Sequence, residues 1–248
     1  MQMNHEKTVY QLAFLPRIFP VNCYIVEEEY ELTLIDTGLP YSWKGILHAA
    51  RKIGKPITKI LLTHGHEDHI GSLDRLKEIL PNVPVYVSKR DARLMSGDRS
   101  LDDTEPNTPI RGGVPKKLKT RADILLQDGD QIGSLLAIST PGHTPGSMCF
   151  MDTRNNALIV GDTMQTRGGF AIAGQIRPFF PFPALATWNK QETIKSVRKL
   201  LTFQPSLIAA GHGKMLLNPG ETIENTLAKT QEKIPTQRSN DYVTKNRP

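Results

Sequence analysis

No stretch of this chain approaches the roughly 20 consecutive apolar residues that a membrane-spanning helix requires, which excludes a protein built on such helices. The polar segment Met1–Tyr10 also lacks the apolar centre of a secretory signal, so the chain is read as cytoplasmic. Cysteine is nearly missing: Cys23 and Cys149 are the only two in 248 residues. That is too few for a disulfide scaffold, and neither belongs to a Cys-x-x-Cys pair, so both are expected to be reduced, buried thiols. No sequence repeat is evident. The 31 basic residues outnumber the 25 acidic ones, for a net charge of +6. They are scattered, with the densest patch at Lys116, Lys117, Lys119 and Arg121. Nucleic acid, which a basic stripe would attract, is therefore not the expected partner. A small anionic or acylated substrate suits the charge better.

What is present is an ordinary globular composition, 38% hydrophobic and 23% charged, in a length that fits one large domain or two small ones. β-prone runs at Val9–Leu15, Cys23–Val26 and Leu32–Ile35 lead into Asp36-Thr37-Gly38, a strand ending in a glycine turn. Ser42 is placed to cap a helix running to about Ile53, with Trp43, Ile46, Leu47 and Ala50 on one face. A strand over Lys59–Thr63, a helix over Ile70–Leu80 stopped by Pro81, and a strand over Val85–Val87 complete a β-α-β-α-β order. Residues 97–120 carry Pro106, Pro109, Pro115 and Gly112-Gly113 and read as irregular. Strands follow at Ile124–Leu126, Leu135–Ser139, Ser147–Met151 and Ala157–Val160, then an irregular stretch over 163–187. A helix over Asn189–Leu201, a strand over Ser206–Ala209 and a helix over Glu221–Lys233 come last. Residues 1–234 are thus read as one domain of two similar halves joined near 97–120, with two sheets packed together and helices outside. Residues 235–248 are read as a polar tail.

The strongest chemical signal is Thr63-His64-Gly65-His66-Glu67-Asp68-His69. Alternate residues of an extended segment point the same way, so His64 and His66 can reach one point. Past the turn, Asp68 and His69 can face a second point nearby. Imidazole and carboxylate are the ligands that zinc-like ions prefer. Four groups cannot complete two metal shells, and the rest of the chain supplies three more in a repeated setting. His143, Asp162 and His212 each follow an apolar strand and each has glycine beside it, in Gly142-His143, Gly161-Asp162 and Gly211-His212-Gly213. Glycine lets the backbone close around an ion. His5, in a polar terminus, and His48, within a helix, have no such company and read as structural or solvent-facing.

In combination and order, these motifs resemble the metallo-β-lactamase superfamily, over nearly the whole chain from Asn22-Cys23-Tyr24 to His212. The resemblance implies an α/β fold, an αββα sandwich of two mixed sheets flanked by helices, with the site at one sheet edge. It implies that His64, His66 and His143 bind a first metal, that Asp68, His69 and His212 bind a second, that Asp162 bridges them, and that Asp36 supports them from behind. It implies two zinc ions per chain, with iron or manganese as alternatives. It also implies a hydrolase that uses a hydroxide held between the ions, with Asp68 or Asp162 passing a proton to the leaving group. Relatives with aspartate at the bridging position are typically dinuclear hydrolases of thioesters, lactones and phosphodiesters. True β-lactamases carry cysteine there, so penicillin is not the expected substrate. The chain looks most like the lactonase and glyoxalase II-like branch. Lactonases carry a tyrosine three positions after the bridging aspartate, where this chain has Gln165. A glyoxalase II would add a helical C-terminal domain, for which residues 214–248 are too short.

Residues 167–182 follow Asp162 and should border the site. Phe179, Phe180 and Phe182 are candidates for an acyl-binding wall, or for contacts of the core or of a homodimer. Arg167 and Arg177 are candidates for meeting a substrate anion. Two other readings use the same fold: a persulfide dioxygenase-like iron oxidoreductase holding one ion, and, ranked last, a phosphodiesterase or nuclease, with which the positive charge is compatible.

Overall fold

In the computed structural model, which describes residues 1–231, strand alternation sorts the apolar residues into three layers. On the strand Leu32–Ile35, Leu32 and Leu34 face helices while Ile35 faces a second sheet. Successive strand side chains point to opposite faces, so a run that is apolar throughout must be covered on both sides.

The first sheet is built from β1 (Gln2–Glu6), β2 (Val9–Phe14), β3 (Val21–Glu27), β4 (Leu32–Ile35), β5 (Ile57–Leu61), β6 (Val85–Ser88) and β7 (Ile124–Leu126), paired in that order. Between these strands run α1 (Trp43–Ile53), α2 (Glu67–Ile70), α3 (Leu73–Ile79) and α4 (Lys89–Met95). The second sheet uses β8 (Gln131–Ile132), β9 (Leu135–Ser139), β10 (Met148–Asp152) and β11 (Ala157–Gly161). A small ladder, β12 (Met164–Gln165) with β13 (Ala171–Ile172), then α5 (Phe182–Leu185) and α6 (Lys190–Leu201), precede β14 (Leu207–Ala210), β15 (Leu216–Leu217) and α7 (Gly220–Gln231). The second sheet runs in the order β15-β14-β11-β10-β9-β8. Ile46, Leu73 and Leu76 pack on one outer face, and Ile194, Val197 and Ile223 on the other. Tyr24, Leu61, Phe150 and Ile159 fill the space between the sheets. The architecture is an αββα sandwich.

Several local expectations change. The polar N-terminus forms edge strand β1, paired antiparallel with β2. Ser42 does not cap α1: its hydroxyl accepts from Leu39 N at 3.0 Å, and Ser72 Oγ accepts from Trp43 N at 3.0 Å instead. The helix expected over Ile70–Leu80 starts at Glu67 and breaks at Gly71, whose N–H donates to Gly38 O at 2.8 Å. Helix α4 was not expected at all. The loop 97–120 lies just ahead of the passage from the first sheet to the second. It leads from α4 to β7, which pairs in parallel with β6, so the chain changes sheets after Leu126. Cys23 and Cys149 are buried and unpaired, one in each helix-facing core. The expected tail over 235–248 lies outside the described residues.

Strand direction positions the site. β4 and β5 run parallel, as do β11 and β14. Their C-terminal ends therefore open on the same edge of the sandwich, where His64, Asp162 and His212 emerge.

Candidate metal centre

At that edge the structure brings all seven expected side chains together. Ligand atoms of His64, His66 and His143 lie within 4.8 Å of one another, as do those of Asp68, His69 and His212. Asp162 reaches both groups: its Oδ2 lies 3.2 Å from His212 Nε2 and 3.4 Å from His143 Nε2, and its Oδ1 3.3 Å from His69 Nε2. All are buried except Asp68, which is partly open.

Each imidazole commits one nitrogen to a protein oxygen, and those partners assign the tautomers. His69 Nδ1–H donates to Asp36 Oδ2 at 2.8 Å, and His212 Nδ1–H to Pro20 O at 2.6 Å. His66 Nε2–H donates to Arg111 O at 3.0 Å. Thr63 Oγ1 gives its proton to Asp36 Oδ2 at 2.7 Å, so it accepts from His64 Nδ1–H at 3.0 Å. Thr187 Oγ1 likewise donates to Pro183 O, leaving it to accept from His143 Nδ1–H at 3.3 Å. The other nitrogen of every ring turns inward. The lone pairs of His66 Nδ1 and His143 Nε2 then face each other at 2.9 Å. Burial holds both rings below the usual imidazole range, His143 at about 3, so no proton sits between them. Buried His64 Nε2 likewise has no hydrogen-bond partner among the described residues. Converging lone pairs without donors are what a cation satisfies, so the donor set fits metal ions.

The second group carries compensating charge. Burial opposes protonation of His212, but Asp162 and Asp68 outweigh it and raise its pKa to about 10. His69 is raised in the same way, first by Asp162. Both carboxylates are held low despite burial, Asp162 by His212 and His69, Asp68 by His69 and His212. Metal uptake must displace the two imidazole protons. Loading chelator-stripped protein at pH 7 is expected to release about two protons per chain, and metal affinity is expected to rise with pH. A pH-indicator titration with no proton release would contradict this account.

Glycine admits the close approach at two points. A Cβ at Gly211 would run into Asp162 and His69, and one at Gly112, which also has φ +86°, would run into the His66 ring. Over the site lies a cavity of about 360 Å³, lined by His66, Asp68, Asp162 and His212 and walled by Phe19, Phe182, Pro183 and Leu185. A larger cavity of about 570 Å³ lies on the other side of Asp68, between Pro40, Ile70 and Lys116, and holds none of the histidines.

The expected substrate contacts mostly lie elsewhere. Gln165 is buried, and its amide donates to Phe180 O at 3.2 Å, which ties down the following segment. The Arg167 guanidinium donates to Arg17 O, and that of Arg177 to Phe170 O, both outside the cavity. Phe179 points to solvent. Phe180 is buried with its ring centroid 5.2 Å from that of His212, and Phe182 alone of the three lines the cavity. His5 stacks on Tyr10, and His48 is exposed.

Two residues at the site were not anticipated. Phe19 stands over His212, ring centroids 5.6 Å apart. Asp91, fully buried, accepts from Gly65 N at 2.9 Å, Gly146 N at 2.8 Å and Thr144 Oγ1 at 2.7 Å, joining the loop of His64 and His66 to that of His143. The signal for Asp91 was Ser88-Lys89-Arg90-Asp91 after a strand, a capping pattern. Ser88 Oγ does accept from Asp91 N at 3.0 Å.

Comparisons with known proteins follow this geometry. A family profile described as "Metallo-beta-lactamase superfamily" matches residues 16–212. YobT of Bacillus subtilis (strain 168) is 55% identical over 232 residues, 94% of this chain and 100% of its own length. A protein of the same organism named "Probable metallo-hydrolase YflN" is 28% identical, over 77% of this chain and 80% of its own length. The crystal structure of TTHA1623 in a di-iron-bound form matches with a TM-score of 0.63 at 26% identity, covering 86% of this chain and 96% of that one.

Proposed function

The chain belongs to the metallo-beta-lactamase superfamily and is a metal-dependent hydrolase, and from that premise we propose that it holds two ions, zinc in the first place, and cleaves an ester, lactone or thioester of a small acylated substrate. One observation carries the reading: seven inward-facing donors, among them lone pairs that no proton satisfies. His64 Nε2, His66 Nδ1 and His143 Nε2 would hold one ion, Asp68 and the Nε2 atoms of His69 and His212 the other, and Asp162 would touch both. Bound there, the ions would supply a strong nucleophile at neutral pH and a Lewis acid for the acceptor oxygen.

The chain's own groups do the rest. Asp36 and Thr63 hold the Nδ1–H of His69 and His64, which turns Nε2 of each ring inward. Asp68, the one open carboxylate, with its side chain 30% exposed, is placed to take a proton at Oδ2 and pass it to the leaving group. Phe19, Phe182, Pro183 and Leu185 receive the acyl part and keep water from it. Among the described residues, the cavity lining includes no lysine or arginine, which favours a compact acylated substrate over a nucleic-acid backbone. The full ligand set favours two ions over the single iron of a dioxygenase.

Metal analysis combined with a panel of lactone, thioester and phosphodiester substrates tests the reading. The expected result is about two ions per chain, turnover of the carbonyl substrates, and loss of that turnover in His66→Ala. A single iron with oxygen consumption, or turnover confined to phosphodiesters, would overturn it.

A further inference from the structure

Two loops rim the cavity mouth and expose apolar side chains of a size that soluble surfaces seldom leave in contiguous patches. Ile18 is 80% exposed between β2 and β3, and Phe179 is 90% exposed just before α5. Phe182 and Leu185, also exposed, continue the patch into the cavity wall. The loops form one surface, because the Phe19 ring lies 5.0 Å from both Phe180 and Phe182.

Beside these tips lie cations. Arg167 donates to the carbonyl of Arg17 at 2.8 Å, and Arg167 and Lys214 line one small cleft with Pro16 and Pro20. The side chains of Arg17 and Lys214 pair with no described residue. The sequence explains why: no aspartate or glutamate occurs over 7–26, 163–191 or 193–220, the segments that build this face.

We propose that this face docks on an anionic lipid surface. Ile18 and Phe179 enter the boundary between headgroups and acyl chains, while Arg17, Arg167 and Lys214 meet the lipid charge, so that the cavity opens toward the membrane. Protruding apolar tips beside unopposed cations are the combination that holds peripheral proteins at such interfaces. A second copy docked face to face would set the same cations against each other. A protein partner would cover the patch evenly, whereas Ile18 and Phe179 stand furthest out of it, as side chains that enter a lipid layer do. The inference holds whichever bond the site cleaves.

Sedimentation of the full chain with vesicles of equal parts phosphatidylglycerol and phosphatidylcholine tests it. Binding is expected to these vesicles, to be weaker with phosphatidylcholine alone, and to fall as salt rises. Ile18→Asp with Phe179→Asp is expected to weaken vesicle binding about tenfold or more, with the circular dichroism spectrum and unfolding temperature unchanged. Arg17→Glu with Lys214→Glu is expected to abolish the preference for the anionic lipid. Absence of binding by the unmodified chain, or binding by both variants equal to it, overturns the proposal. So does a dimer that the aspartate variant dissociates while no vesicle is bound.

Discussion

Asp162→Asn is expected to lower turnover by at least about a thousandfold, roughly 4 kcal/mol of transition-state stabilisation, while leaving the fold intact. Among the described residues, Asp162 is the only carboxylate within 3.4 Å of inward nitrogens from both ligand groups. The asparagine keeps the shape but removes the charge that the two proposed ions would share. Folding should tolerate the change because the protons on His69 and His212 depend on that charge. Without it, burial favours the neutral rings, and they shed their protons instead of remaining as uncompensated cations. Turnover of a thioester or lactone, measured beside the metal content of the same preparation, checks the result. A variant that kept two ions and near-full turnover would sink the idea that Asp162 joins them.

Asp91→Ala should act on stability first. Its carboxylate is the acceptor for Gly65 N, Gly146 N and Thr144 Oγ1, all in the interior. Burial raises the Asp91 pKa and these bonds pull it back. Alanine leaves buried donors with no acceptor, at roughly 3–5 kcal/mol in total. For a domain of this size that is about 10 °C in unfolding temperature. Gly65 sits between His64 and His66, and Gly146 follows His143 by three residues, so metal affinity should fall as well. Thermal unfolding of chelator-stripped protein separates the two effects. Asp91→Asn, which retains one acceptor oxygen, is expected to fall between alanine and the parent. An alanine variant within about 1 kcal/mol of the parent, the range of an ordinary substitution, would mean that Asp91 does not tie the two ligand loops together.

The residues that converge at the sheet edge were legible in the sequence because their signal is local. His64 and His66 alternate along an extended segment, and each later candidate follows an apolar strand within a few residues. The layers were legible for the same reason, since runs such as Leu32–Ile35 must be covered on both faces. Substrate contacts were harder to read. Proximity in sequence to Asp162 suggested Arg167, Arg177 and Phe179, yet the chain turns through β12 and β13 and carries those side chains out of the cavity. Phe19, far away in sequence, takes the place beside His212.

Sequence alone determined which side chains this protein gathers and at which ends of its strands they emerge, because strand alternation and turn chemistry act over a few residues. Only the tertiary structure decided what stands behind each of them. The resemblance pointed to Asp36 but not to its partner His69, 33 positions away, while Asp91 meets Gly146 across 55 positions and Pro20 meets His212 across 192. A buried donor takes whichever acceptor packing brings within about 3 Å, and no local pattern encodes that choice.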